Sequence, residues 1–399
     1  MTGNRLPLWL LIVLSGTIIS SFMGMRQSLG LFQQPMVADV GITAAAFGFS
    51  IALQNITWGL VQPFAGAIAD RTGPRPVLIA CALIFAAGLA TMTYGSALPG
   101  GLVLAGLLLG AGTSGFSTLY GAISRATAVE RRSQVIGLVA AAGSIGTFVL
   151  APLGGWMIGG PGWRAALLMF AAIAASMAVL SLPVKEEVQP AAGKKVPLSE
   201  ALREALDHRG FVFMTLAFFA CGFQLIFLTT HLPAYLALCG VAPGVSASAL
   251  GLIGLFNAIG TYIFGLLGAR YSQKHLLALI YLLRTLFIGA FLTVPVSAES
   301  TLVFAAAMGF LWLGVTPLVT GIIGRVFGLG HFNSLYGIAF LSHQVGSFFG
   351  AWMGGLVFTY SGNYNFAWGA LIAVGLIAFT LQWMMDERPP SGRAAPMPA

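Results

Sequence analysis

Long apolar stretches alternate with short polar or Gly/Pro-rich breaks along the whole chain. Twelve of these stretches approach the length of about 20 residues that an α-helix needs to cross a bilayer. Within lipid the backbone must satisfy its own hydrogen bonds, so each stretch is predicted to be helical despite its glycines. The pattern therefore predicts an all-α membrane protein with twelve transmembrane helices. These begin near Leu8, Ala44, Pro76, Gly101, Ser133, Trp163, Phe211, Ser246, Leu276, Thr301, Ser334 and Phe366.

The few charged residues lie almost entirely between the apolar stretches. Only 8% of residues are charged and 58% are hydrophobic, a balance that excludes a water-soluble globular protein. With a cytoplasmic N-terminus, nearly all of the 19 Lys and Arg fall on cytoplasmic loops or tails. By the positive-inside rule both termini are therefore expected in the cytoplasm. The net charge of +8 then reflects membrane topology, and no nucleic-acid partner is expected.

The chain resembles itself when it is shifted by about 200 residues. Matches at this spacing, in the same order, predict two six-helix bundles with the same orientation, a parallel repeat. We expect bundles at 1–183 and 209–387, a cytoplasmic linker with an amphipathic helix at 184–208, and a disordered tail at 388–399. The matching segments are Gly66 to Arg71 with Gly265 to Arg270, Gly121 to Arg125 with Gly321 to Arg325, and Ala151 to Gly155 with Ala351 to Gly355.

The loop after the second stretch, Gly66-Ala-Ile-Ala-Asp70-Arg71-Thr-Gly73-Pro-Arg75, resembles the signature loop of the major facilitator superfamily. The resemblance implies that Asp70 contacts the positive N-terminus of the eleventh helix and closes the cytoplasmic side. A simpler role for the loop arginines is to anchor the loop to anionic lipid. The implied cytoplasmic gate consists of Gly66, Asp70, Arg71, Gly73, Arg75 and Asn333.

Two further segments resemble bacterial relatives of the monocarboxylate porters. They are Gly24 to Pro35 in the first span and Ser342 to Gly350 in the eleventh. The chain departs from the animal porters in having Arg26 in the first span, where they carry a Lys. It also has no charge from Ser246 to Gly268 in the eighth, where they carry an acid and an Arg.

Arg26 is the foremost candidate for a substrate contact. A charge within the bilayer costs about 2.5–3.5 kcal/mol on insertion scales, so it requires a functional reason. None of the 11 acidic residues lies inside a span, which makes a substrate carboxylate the expected counter-ion. The alternative is that Arg26 binds helix carbonyls and shapes the first span. Arg284 in the ninth span is the second buried cation.

Neutral polar residues and histidines at membrane depth complete the predicted site. The histidines His343 and His231 are the intramembrane groups that titrate near neutrality, so we expect them to couple protons. The alternative for each neutral residue is that its side chain joins two helices by a hydrogen bond and does not contact the substrate. The predicted substrate contacts are Arg26, Gln27, Asn55, Tyr120, Gln224, Asn257, Arg284, His343 and Gln344.

Taken together, the sequence predicts a secondary transporter of a small organic anion, a monocarboxylate, that works by alternating access and is coupled to protons. We expect a monomer in a bacterial inner membrane, surrounded by lipid, without cofactor or metal. An enzyme is disfavoured because no nucleophile, metal cluster or phosphate loop is apparent. The alternative is an efflux antiporter for lipophilic or drug-like compounds, since Gly146 to Gly155 with Pro152 resembles a motif of drug antiporters.

Overall fold

The computed structural model describes residues 7–127, 129–184, 198–327 and 332–388, and every regular element among them is helical. Short 3₁₀ turns at Leu29–Phe32 and Ser114–Phe116 interrupt the first and fourth spans. The helices are α1 (Leu8–Gln27), α2 (Gln33–Val40), α3 (Ala44–Thr72), α4 (Pro74–Gly95), α5 (Gly101–Thr113), α6 (Ser117–Ala126), α7 (Val129–Gly159), α8 (Trp163–Leu180), α9 (Leu198–Asp207), α10 (Arg209–Leu238), α11 (Pro243–Arg270), α12 (Gln273–Thr293), α13 (Ala298–Phe310), α14 (Val315–Phe327), α15 (Phe332–Ser361) and α16 (Asn365–Met384).

Eleven helical segments of the described chain are long and apolar enough to cross a membrane. Three of them combine shorter helices: α1 with α2, α5 with α6, and α13 with α14. The remaining predicted span, the eleventh along the chain, coincides with α15, which is 30 residues long. Its hydropathy is lowered by the polar run Ser342-His343-Gln344. Because α15 packs against α3 of the first half, this polar run lies at the contact between the two halves.

The chain folds as two halves of six spans each, α1–α8 and α10–α16, as the internal repeat predicts. They meet along two seams, where α3 packs against α15 and α7 packs against α11. The fourth and tenth spans break at the same place in the repeat, between α5 and α6 and between α13 and α14. Most of the linker and tail, 185–197 and 389–399, lies outside the described residues, so the predicted domain boundaries stay predictions.

Short connections mark one end of the molecule, which we call the tight-turn end; the opposite end is the linker end. Five of these connections contain a glycine with positive φ, a backbone conformation that a Cβ disfavours. Side chains also cap helices here: Thr43 accepts a hydrogen bond from the Ala46 amide (3.0 Å), and Ser297 forms a capping box with Ser300. The glycines are Gly41, Gly100, Gly162, Gly240 and Gly362.

The halves approach most closely near the tight-turn end. A Cβ added at Gly30 in the first half would lie 1.9 Å from the Thr229 carbonyl oxygen on α10. A Cβ at Gly355 of α15 would lie 2.4 Å from the Ala44 carbonyl oxygen. These backbones touch because the residues between them have no side chain, as in other close-packed membrane helices.

Glu387, just beyond α16, holds the chain against two other helices at the linker end. It accepts hydrogen bonds from the Ser272 hydroxyl and the Lys274 amide, both at 2.8 Å, and forms an ion pair with Arg325. Burial alone would raise the pKa of Glu387, but these donors outweigh it and the pKa is lowered. The carboxylate therefore joins α16 to the start of α12 and to α14.

Replacing Gly30 with alanine should open the tight-turn end. Overpacking costs about 1–3 kcal/mol, enough to shift a balanced equilibrium several-fold to over a hundredfold. We expect a longer mean distance between spin labels at Leu98 and Tyr360, which are exposed on opposite halves, with Cys239 replaced by serine. The control is Gly369→Ala, where an added Cβ meets no atom within 4 Å. An unchanged distance in Gly30→Ala would contradict the close-approach argument.

Replacing Glu387 with glutamine should destabilise the second half by about 1–3 kcal/mol, because buried donors lose a charged acceptor. Since the pKa of Glu387 is lowered on folding, its contribution is full above the unfolded value of about 4.3 and is lost as the pH falls through the folded value. Thermal unfolding at neutral and acidic pH measures this, and the variant should lose part of the pH dependence. Asp207→Asn is the control, because this carboxylate is 76% exposed and its contact with Arg203 is 4.0 Å long, so its replacement should change stability little.

Candidate functional site between the two halves

The candidate site lies where α1, α3 and α15 meet, near the middle of the spans. Arg26 comes from α1, Asn55 and Trp58 come from α3, and His343 and Gln344 come from α15. A hydrogen bond of 2.7 Å from the Gln344 Nε2 to the Asn55 carbonyl oxygen crosses between the halves. The site is therefore shared by both halves.

Close packing of α1 against α7 directs Arg26 towards this site. A Cβ at Gly24 would lie 2.4 Å from the Gly146 carbonyl oxygen, so this face of α1 is pressed against α7. Positions two residues apart on a helix point roughly 200° apart, because each residue turns it by about 100°. Arg26 therefore projects from the opposite face of α1.

Arg26 has no anionic partner in the part of the chain that the structure describes. Its guanidinium carbon lies 4.7 Å from the centre of the Trp58 ring, and its buried Nε makes no hydrogen bond. A cation–π contact contributes about 0.5–2 kcal/mol, less than the roughly 2.5–3.5 kcal/mol that insertion scales assign to a charge at this depth. The ring alone does not offset the cost of the charge.

Aromatic rings connect Arg26 to His343 across the seam. Trp58 of α3 contacts Phe340 of α15 edge to face, with ring centres 5.2 Å apart. Phe340 in turn stacks on His343, with centres 5.8 Å apart and planes 6° apart. Because Phe340 and His343 are three residues apart, they lie on the same face of α15. Sequence reasoning missed Trp58 and Phe340.

The His343 imidazole is buried and hydrogen-bonded within α15. Its Nδ1 lies 3.1 Å from the Gln344 Oε1, and the ring packs 4.9 Å from that of Phe218. Both Arg26 and Arg284 lie close enough to act electrostatically on it. With Nδ1 donating, the Gln344 amide joins His343 to the Asn55 carbonyl in a single chain of hydrogen bonds.

His231 lies on α10, closer to the tight-turn end. It contacts Ala351 of α15, which is about two helical turns from His343. Its Nδ1 is 3.2 Å from the Gln33 Oε1 and its Nε2 is 2.6 Å from the Ala351 carbonyl oxygen. A neutral imidazole has one N–H, so it donates to one of these oxygens, whereas a protonated ring donates to both. Gln33, which sequence reasoning missed, also contacts the Tyr364 hydroxyl at 3.4 Å.

Asn257 and Arg284 hold the break in the tenth span from two sides. Arg284 is fully buried and donates to the carbonyl oxygens of Leu311, at 2.6 and 3.1 Å, and of Trp312. Asn257 accepts from the Leu313 amide (2.9 Å). The carbonyl end of α13 is negative, so it stabilises the arginine without an acid.

Asn257 also connects this break to the other half, because its Nδ2 donates to the Ser144 hydroxyl of α7 at 2.9 Å. The structure thus gives the polar groups of Arg284 and Asn257 protein partners, in contrast to Arg26. A role for either of them in direct substrate contact stays a prediction.

The other predicted residues are more scattered. Gln27 and Gln224 are buried with an unpartnered carbonyl oxygen each, although Gln224 donates to the Leu371 carbonyl (3.1 Å). Tyr120 lies within electrostatic reach of Tyr336 on α15.

In the predicted gate, Arg71 is exposed and Gly73 has positive φ between α3 and α4. A Cβ added at Gly66 would meet no atom within 4 Å. The side chains of Asp70 and Asn333 lie outside the described residues, and the gate, which also includes Arg75, stays a prediction.

Comparisons with known proteins agree with this architecture. The chain is 27% identical to monocarboxylate transporter 13 of Rattus norvegicus over 92% of this chain and 86% of that protein. It is 23% identical to the oxalate:formate antiporter of Oxalobacter formigenes over 97% and 93%. The xylose transporter XylE from E. coli, solved in an inward-open conformation, superimposes with a TM-score of 0.73 at 15% identity, covering 97% and 98% of the two chains.

The family profile of the Major Facilitator Superfamily matches residues 9–315, which is more than half of the chain. The match begins in α1 and extends to the start of α14, so it includes the first half and most of the second. The chain is a multi-pass membrane transporter and not an enzyme, and it belongs to the Major Facilitator Superfamily.

Proposed function

We propose that this transporter carries a small organic monocarboxylate across the bacterial inner membrane by alternating access, coupled to protons. The observation that carries the proposal is the unpaired Arg26 at the junction of the two halves. A guanidinium binds a carboxylate through two parallel hydrogen bonds, and in a low-dielectric site such a pair is strong. A substrate carboxylate would supply the counter-charge that the described protein residues do not.

A single negative charge suits the available cations best. Arg284 already donates to the carbonyl oxygens of Leu311 and Trp312, which leaves Arg26 as the uncommitted arginine of the described spans. A second carboxylate would therefore enter without a matched cation, at the cost of burying an ion. The rings of Trp58 and Phe340 provide an apolar surface beside Arg26, which favours an organic anion with a short apolar part.

Alternating access is supported by where the two halves touch. Contacts between α3 and α15 run from Ala45, whose amide donates to Thr359 (3.1 Å), to Gly59, where an added Cβ would lie 3.0 Å from Gln344. These contacts reach from the tight-turn end to the level of Arg26. We propose that the tight-turn end is the outer end, closed in this conformation, and that both termini are cytoplasmic.

Two buried histidines, His343 and His231, are the proposed proton carriers. An anion bound at Arg26 neutralises it, so cotransport of a proton requires a second group that takes up and releases the proton. His343 is connected to Arg26 by aromatic contacts, and His231 bridges Gln33 and the Ala351 carbonyl across the halves. In this proposal, one or both imidazoles change protonation as the halves separate and rejoin.

Replacing Arg26 should identify the anion site. Arg26→Lys keeps the charge but loses the planar guanidinium that binds a carboxylate through two hydrogen bonds. We expect carboxylate affinity to fall about tenfold. Arg26→Gln should weaken binding by on the order of 100-fold, since a buried charge pair loses one partner. Thermal stabilisation by a panel of monocarboxylates, dicarboxylates and lipophilic cations measures this.

The control is Arg164→Gln, which removes an exposed arginine paired with Asp39 and should leave binding unchanged. Undiminished monocarboxylate binding by Arg26→Gln would disprove the assignment. Stabilisation by lipophilic cations alone would instead favour the drug-efflux alternative.

Replacing the histidines should separate coupling from binding. If these imidazoles carry the proton, net uptake driven by a proton gradient should change with pH. His343→Gln should flatten this profile and retain anion exchange, and the double replacement with His231→Gln should remove the dependence. His208→Gln, near the membrane surface, is the control. An unaltered pH profile in the double variant would mean that neither histidine carries the proton.

A further inference from the structure

We propose that the second half binds an anionic phospholipid headgroup at the linker end, at a site separate from Arg26. A cavity of about 610 Å³ opens there between the start of α10, the start of α12 and the chain that follows α16. This volume is within the range of about 300–1,000 Å³ typical of small-ligand sites. Its lining includes three cations, two acids and an aromatic ring: Arg209, Lys274, Arg388, Asp386, Glu387 and Phe213.

The two acids of the cavity are already matched by arginines. Asp386 accepts hydrogen bonds from the Arg388 Nε (3.0 Å), Nη2 (2.9 Å) and backbone amide (3.0 Å), and these lower its pKa to about 2. Glu387 is paired with Arg325 and also accepts from Ser272 and Lys274. Both acids are ionised at neutral pH, and each has its own counter-ion.

Two cations of the cavity remain without an acidic partner in the described chain. Arg209 is exposed at the first position of α10 and makes neither a hydrogen bond nor an ion pair with described residues. The Lys274 ammonium donates one hydrogen bond, 3.0 Å long, to the Met385 carbonyl, which leaves two N–H groups free of described partners. The cavity thus offers two positive charges and several unused donors, which suits a phosphate group.

The surroundings favour a lipid phosphate over a soluble one. Trp383, in the last turn of α16, is 58% exposed and its ring contacts His275 at 5.2 Å. Exposed tryptophans are typical of the membrane–water interface, so the cavity is expected at headgroup level. Phe213 and the exposed Met384 add apolar surface beside the cations. Basic pockets between membrane helices are known to hold lipid headgroups.

The test compares thermal unfolding of the purified full-length protein in detergent with added short-chain phosphatidylglycerol, phosphatidylcholine or inorganic phosphate. Phosphatidylglycerol should stabilise the wild type most. Arg209→Gln and Lys274→Gln should each raise the half-maximal lipid concentration about fivefold, and the double variant should lose the preference for the anionic lipid. Arg203→Gln removes an equally basic, 86% exposed side chain from α9 and should behave as the wild type.

Equal stabilisation by phosphatidylcholine, or an unchanged preference in both single variants, would overturn the proposal. Equal stabilisation by inorganic phosphate would assign the cavity to a soluble anion and would also overturn it. If the double variant does not fold, the wild-type protein alone tests the proposal through its dependence on ionic strength. Raising the ionic strength should then reduce the phosphatidylglycerol effect to that of phosphatidylcholine, because the interaction is electrostatic. An effect that persists in high salt would contradict the site.

Discussion

The cost of a positive charge within the hydrocarbon layer governs the arrangement of this protein. Two arginines lie at that depth, and the fold treats them differently. Arg284 is surrounded by the carbonyl oxygens that the break in the tenth span sets free, so its charge is stabilised by backbone dipoles. Arg26 packs against the face of the Trp58 ring and has no acidic partner in the described chain. Arg284 therefore supports the fold, whereas Arg26 keeps unused hydrogen-bond donors, which we propose a substrate carboxylate occupies.

The spans were predictable because bilayer thickness and backbone hydrogen bonding leave few alternatives. The starts of α1, α3, α5 and α8 agree with the apolar pattern residue for residue, and the repeat predicted that both halves have the same orientation. The apolar stretch beginning near Ser334 was predicted as a span and coincides with α15, although α15 is not among the eleven segments of the described chain that hydropathy identifies.

The partners within the site were much harder to predict. Trp58 and Phe340 are two aromatic residues among many in the spans, and nothing local distinguishes those that meet across a seam. The role of Arg284 depends on the helix break at Leu311 to Gly314, where the sequence is as apolar as its surroundings. Gln33 was missed because its partners, His231 and Tyr364, lie on distant parts of the chain. Side-chain partners in different helices are set by packing, which has no short-range sequence signal.

The paired breaks in the fourth and tenth spans are satisfied in different ways, and this makes the two halves mechanically unlike. Around the 3₁₀ turn of the fourth span, Ser114 donates to Ala111 and Thr118 donates to Gly115, both at 2.6 Å and within the same span. The Cys81 thiol of α4 adds a weaker contact of 3.7 Å to the Ala111 carbonyl. Such a joint can bend and keep its hydrogen bonds. The joint in the tenth span depends on side chains from α11 and α12, and Asn257 extends it to Ser144 in the opposite half. The joint of the first half is thus held mainly by hydrogen bonds within its own span, whereas the joint of the second half is connected through Asn257 to α7 of the first half. A bend at the second joint would therefore have to break hydrogen bonds between helices.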